Sequence, residues 1–273
     1  MDEEDELDLS MYETKESKLT QRKRQERDRE RAISAHQKWK KTIENCILCY
    51  DSASFKKHLM ISLGEYSYIA LVPPFMAITD FHIRIVPLKH KWSSTELDEE
   101  EWSEMVRFRK SLEAMFHSID KGVIFMETVM GKPDVRHTCI EVIPVERHVE
   151  EDVPLVFKKE IMQCDNEWQA ANRKCIDTSK KGIRRSVPPN FPYFHVEWSN
   201  LTGPPGGYCH VIDDQNIFKS SFGRETLLPL IGEHVGRKSK ELQRKRHPEF
   251  ERQAMISTLK LWKKFDWTVE LDG

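Results

Sequence analysis

Arg136-His137-Thr138-Cys139-Ile140-Glu141-Val142-Ile143-Pro144 is the stretch on which the fold turns. Its Val and Ile content, continued by Val145, predicts a strand over residues 138–145. Side chains alternate along a strand, so His137, Cys139 and Glu141 at period two point the same way. An imidazole, a thiol and a carboxylate therefore line one side of one element.

Outward from this strand the pattern stays mixed. Residues 122–129 predict a second strand just before it. Residues 97–120 predict a long amphipathic helix, because Trp102, Met105, Leu112, Phe116 and Ile119 recur at helical spacing, with Thr95 or Asp98 as cap. Upstream, residues 58–63 and 66–72 read as a hairpin around Gly64-Glu65, closed by Pro73-Pro74, and residues 81–87 alternate as a third strand. Strands, then a helix, then a strand pair give an α+β class: an antiparallel sheet with helices on one face. Beyond it, helix is expected over 150–175 and strands over 193–198 and 208–213. A helix is expected from near Arg224, and another over 248–265 with Phe250, Met255, Leu259 and Trp262 on one face. His195 and His210 sit in matching strand contexts that could form a second polar site.

The expected organisation has four parts. Residues 1–40 are an acidic, then basic, disordered or helical extension, which reads as a segment within a longer protein. Residues 41–148 form the first domain, 149–190 a helical and basic linker, and 191–273 a smaller α+β module.

Bulk properties restrict the function classes. Of 273 residues 38% are hydrophobic, and 7 Trp and 13 Phe supply core anchors. Net charge is −2, which argues against bulk attraction to nucleic acid, yet charge is blocked locally. The longest mostly apolar stretch, residues 69–78, holds two prolines, whereas a membrane span needs roughly 20 apolar residues, so the chain reads as soluble. No apolar signal core marks it for secretion. Six cysteines, two in a CxxC and four scattered, suit a reducing compartment.

The CxxC is Cys46-Ile47-Leu48-Cys49. Two thiolates two residues apart on a turn fit one edge of a zinc tetrahedron. A redox pair would sit between a strand and a helix of a βαβ unit, whereas this one follows a charged helix and precedes a hairpin. Two further ligands are needed, and spacing alone leaves His90, His137, His58, His82 and His117 as candidates.

The CxxC, His90 in Pro87-Leu88-Lys89-His90, and the His137 strand together resemble the histidine-triad superfamily. In members that carry this set, zinc is held by the two cysteines, that histidine and the first triad histidine. The resemblance therefore implies one structural Zn2+ per chain on Cys46, Cys49, His90 and His137. Active members read His-x-His-x-His, and the middle histidine attacks a nucleotide α-phosphate. Here the strand reads His137-x-Cys139-x-Glu141, a degenerate triad pocket. A carboxylate beside Cys139 disfavours the thiolate and repels phosphate, so no catalytic residue is assigned.

The resemblance narrows further with Tyr193-Phe194-His195-Val196-Glu197-Trp198, Gly206-Gly207-Tyr208-Cys209-His210-Val211-Ile212, the Phe222-Gly223-Arg224-Glu225 turn and the closing Trp262-Lys263-Lys264-Phe265-Asp266-Trp267. With the degenerate strand these look like the two C-terminal domains of the CwfJ family, over about residues 40–273. That family consists of splicing factors of late and post-catalytic spliceosomes. The resemblance implies a nuclear protein that contacts spliceosomal RNA or the intron lariat and splicing proteins, the lariat-debranching enzyme among them. Basic clusters are compatible with phosphate contact: Arg22 to Arg31, then Lys180, Lys181, Arg184 and Arg185, then Arg237, Lys238, Lys240, Arg244, Lys245 and Arg246. Competing readings are a nucleotide hydrolase or RNA-processing enzyme using the triad pocket, and a pure protein adaptor.

Overall fold

A computed structural model describes residues 15–133, 135–164, 175–200, 205–232 and 247–272. The basic positions Arg237, Lys238, Lys240, Arg244, Lys245 and Arg246 lie outside the described residues. Eight strands form one antiparallel sheet. They are β1 (Met60–Leu63), β2 (Ser67–Leu71), β3 (Ile83–Pro87), β4 (Gly122–Val129), β5 (Ile140–Val145), β6 (Ile176–Asp177), β7 (Tyr193–Trp198) and β8 (Gly206–Val211), in the order β1-β2-β3-β5-β4-β7-β8-β6. The fold is α+β, as the alternation of patterns predicts.

Helices cover both faces of the sheet, not one. The helices are α1 (Lys15–Asn45), α2 (Glu99–His117), α3 (Arg147–Gln163), α4 (Phe222–Leu230) and α5 (Pro248–Trp262). On β4, Val123 and Phe125 join a core with Phe108, Leu112 and Phe116 of α2 and Trp262 of α5. Their neighbours Ile124 and Met126 join a separate core with Val153 and Phe157 of α3 and Leu227 of α4. A strand apolar at successive positions serves both sides, which is why residues 122–126 read as a continuous run. Each buried Phe or Leu contributes roughly 1.5–3 kcal/mol of transfer free energy.

The strands on either side of residues 149–190 lie in the same sheet, because β4 pairs with β7 from Ile124↔Trp198 to Val129↔Tyr193. Residues 149–190 themselves hold most of α3, the short β6 and a 3-10 turn at Ile183–Arg185. His195 pairs with Cys209 and Phe194 with His210, so the two histidines point to opposite faces and form no shared site.

Elements start later than residue type alone suggests. Residues 57–59 form a 3-10 turn ahead of β1, and Phe81 takes φ 59, so β3 opens at Ile83. Asp98 rather than Thr95 caps α2. Its carboxylate accepts from Glu101 N at 2.8 Å while the Glu101 side chain accepts from Asp98 N, a capping box worth about 1 kcal/mol. From α2, Glu104 accepts from Glu65 N, Tyr66 N and Ser67 N and so ties down the β1–β2 turn. A Cβ at Gly64 would overlap that carboxylate, which explains the glycine. On α5, Trp262 is buried, but Leu259 is 40% exposed, outside the apolar face expected for it.

Residues 20–38 of α1 are exposed throughout, and burial begins only at Trp39, Thr42 and Ile43. Over residues 20–45 the helix is therefore buried only toward its C-terminal end. No helix of the described residues is long and apolar enough to cross a membrane.

Candidate metal centre

Three segments meet where α1 ends. Cys46 is the first residue after the helix, and Tyr68 Oη on β2 donates to Leu48 O at 2.6 Å, which pins the CxxC turn to the sheet. His90 lies three residues after β3. The strand expected over 138–145 enters the ladder only at Ile140, and residues 137–139 run beside the 90–92 segment instead, with Thr138 N donating to Lys91 O at 2.8 Å. Glu127, on β4 and buried, fixes this arrangement. It accepts from Thr138 Oγ1 (2.6 Å), Ser94 N (2.9 Å) and Tyr193 Oη (2.8 Å), joining the metal-side segments to β7.

Cys46, Cys49, His90 and His137 converge with all four ligand atoms within 4.8 Å of one another. Cys46 Sγ lies 3.6 Å from His137 Nδ1, and Cys49 Sγ lies 3.2 Å from His90 Nδ1 and 3.3 Å from His137 Nδ1. A tetrahedral zinc with bonds of about 2.3 Å to sulfur and about 2.0 Å to nitrogen separates such atoms by about 3.5 Å. The donor set and its spacing fit that ion. His58, His82 and His117 lie elsewhere: His58 pairs with Glu251 (2.9 Å), His82 packs on Glu141, and His117 bonds Ser199 (3.0 Å).

The surroundings orient the ligands. His137 Nε2 donates to Pro87 O at 2.8 Å, which leaves the Nδ1 lone pair aimed at the sulfurs. Leu48 N donates to Cys46 Sγ at 3.4 Å. Trp39 of α1 meets the His90 ring edge-on, with centroids 5.1 Å apart. The mutual hydrogen bond of the two thiols holds Cys46 far below the usual thiol range and pushes Cys49 far above it. Two adjacent thiolates need positive charge between them.

Further along the strand the environment reverses. Burial pushes the Cys139 thiol up to about 11, outweighing Arg84, so a thiolate is absent at neutral pH. Glu141 pairs across strands with Arg84, whose Nη2 donates to Glu141 Oε1 at 3.2 Å. Burial raises the Glu141 carboxyl, but His82, Arg84 and Arg224 together outweigh it and hold it below the ordinary range. No local motif marks Arg84 as a site residue. Its signal was a lone charge inside the apolar alternation of β3.

Among the basic candidates, Lys180, Lys181 and Arg185 are exposed. Arg184 is engaged with α2, donating to Glu99 Oε2 (2.8 Å) and Leu97 O (2.9 Å). Tyr193 is fully buried, whereas Phe191 is 48% exposed.

Two family models match the chain: "Protein similar to CwfJ C-terminal" over residues 33–158 and "Protein similar to CwfJ C-terminus 2" over residues 167–268. Among curated proteins it is similar to CWF19-like protein 2 of Mus musculus, 40% identical over 252 residues, covering 90% of this chain and 27% of that protein. It is 39% identical to CWF19-like protein 2 of Homo sapiens over 264 residues, 92% of this chain and 28% of that one. Pre-mRNA-splicing factor cwf19 of Schizosaccharomyces pombe is 33% identical over 194 residues, 68% of this chain and 29% of that one. The chain thus spans little more than a quarter of the length of these relatives.

Proposed function

The chain belongs to the CwfJ C-terminal family, and on that premise we propose that it acts in pre-mRNA splicing as a catalytically degenerate scaffold of late and post-catalytic, intron-lariat spliceosomes in the nucleus. The names of its relatives support the splicing role. The scaffold reading is carried by one observation: where an active strand would present a nucleophile, Cys139 is a half-buried thiol pushed up by desolvation beside the Arg84–Glu141 pair.

In this reading Cys46, Cys49, His90 and His137 hold one structural Zn2+. A closed shell of two thiolates and two imidazoles has no open coordination position, so the ion's contribution is to fold stability. His137 is thereby committed to the metal and unavailable as a base. Exposed Lys180, Lys181 and Arg185, and the exposed basic run from Arg22 to Arg31 of α1, are the described candidates for contact with spliceosomal RNA or the lariat, and splicing proteins, the lariat-debranching enzyme among them, are the expected protein partners.

Two assays test the proposal. Incubation with dinucleotide, capped-RNA and branched-RNA substrates is expected to give no turnover above background. Turnover abolished by Cys139→Ala would instead establish the enzyme. Titration with branched and linear RNA at several salt concentrations is expected to show salt-dependent binding weakened by Lys180→Glu and Lys181→Glu. An absence of RNA binding would favour a pure protein adaptor.

A further inference from the structure

Helix α3 buries Val149, Val153, Phe157 and Ile161 against the sheet. Its opposite side is exposed and carries an ordered pattern. Leu155 is 74% exposed, more than any other large apolar side chain among the described residues, and Met162 is 51% exposed. Seven residues make nearly two helical turns, so both lie on one stripe. Exposed Glu151 and Asp152 precede Leu155 by four and three residues, and exposed Lys158 and Lys159 follow it by three and four. All four therefore flank Leu155 on the same face.

Among the described residues, none of these four charges is in an ion pair. Lys158 helps lower the Asp177 carboxyl from a distance, without pairing with it. Within α3, Glu151 and Lys158 are separated by roughly 10 Å of helix, as are Asp152 and Lys159, too far to pair. The pattern instead complements its own reversal. A second α3 laid antiparallel about a two-fold axis at Leu155 sets Glu151 and Asp152 of each copy opposite Lys159 and Lys158 of the other. Leu155 then meets Leu155, and Met162 meets exposed His148 of the other copy. Parallel packing would bring like charges together. Self-complementarity of this kind is what a two-fold interface requires.

We propose that α3 is a self-association face, on which a second copy of this chain docks its own α3 antiparallel about a two-fold axis through Leu155. One helix face buries less than the roughly 1,200–2,000 Å² of stable interfaces, so the dimer is weak and forms at high concentration. Its charges select orientation and partner more than they add affinity. The inference goes beyond the splicing reading and does not depend on it.

The test is sedimentation equilibrium of the chain from roughly 10 μM to about 1 mM, with circular dichroism to confirm folding of each variant. Wild type is expected to move from monomer toward dimer mass across that range. Leu155→Asp, at an exposed position, is expected to stay monomeric. Lys158→Glu with Lys159→Glu makes the stripe wholly acidic, and Glu151→Lys with Asp152→Lys makes it wholly basic. Each pair variant is expected to be monomeric alone. Their equimolar mixture is expected to associate at least tenfold more tightly than either, with a gain that shrinks as salt is raised. Wild type that stays monomeric throughout would overturn the proposal and leave the stripe to a helix of a different chain. A dimer that Leu155→Asp does not weaken, or a mixture no tighter than its components, would overturn it as well, by placing the contact elsewhere.

Discussion

His137 and Glu141 lie four residues apart on one run of chain, and their surroundings pose opposite charge problems. Around His137, two thiols and two imidazoles turn their ligand atoms toward one another. Around Glu141, Arg84 donates to the carboxylate with His82 beside it, and Arg224 helps hold it ionised. In the proposed reading the first cluster takes a cation from outside the chain. The second carries its counter-ion within the chain. Between them, half-buried Cys139 has no cation strong enough to outweigh the desolvation that raises its thiol. Residue type alone therefore does not say what a cysteine does. Cys46 and Cys139 differ in what stands beside them.

The metal end should be the more fragile of the two. Cys49→Ala is expected to abolish metal binding and cost about 3 kcal/mol or more, since ligation free energy is folding free energy at such sites. Denaturant unfolding with and without chelator checks this: wild type should lose stability on chelation, and the variant should be indifferent to it.

At the other end, Glu141→Ala leaves Arg84 without its paired carboxylate and is expected to cost about 1–3 kcal/mol. The sign with pH follows from the lowered carboxyl pKa. The contribution is present above the unfolded carboxyl pKa of about 4.3 and is lost as pH falls through the lower folded value. The stability gap between wild type and this variant should thus be constant near neutrality and close only in the acid range, as measured by thermal melts across pH.

Trp39→Ala sharpens the comparison differently. Loss of the Trp39–His90 contact is expected to cost about 1 kcal/mol while leaving the metal bound. Because residues 20–38 of α1 make no buried contact of their own, amide exchange should rise along the C-terminal turns of α1 and not in the sheet. Smallest of all, Cys139→Ala should change stability by less than about 1.5 kcal/mol. In wild type, Cys139 should resist alkylation near neutral pH, and chelation should expose Cys46 and Cys49 to the reagent first.

Much of this was legible in the sequence, for local reasons. The spacing of Met105, Leu112 and Phe116 and the acidic residue ahead of them located α2, and β7 matches residues 193–198 residue for residue. The CxxC was recognisable as a pattern within a short stretch, whereas His90 and His137 stood out among five candidate histidines only through the family resemblance. What escaped were relations across the sheet. Arg84 meets Glu141 only through the β3–β5 register, and no local pattern states a register. The placing of helices on both faces likewise depends on α3 and α4 packing against residues far away in sequence. Trp39 reads as one more residue of a charged helix until the fold sets it against His90.

The most direct measurement is metal content combined with X-ray absorption on chain purified without added metal. About one zinc per chain, with two sulfur and two nitrogen neighbours, is the expected result. A well-folded chain with no bound metal, whose stability chelators leave unchanged, would contradict it.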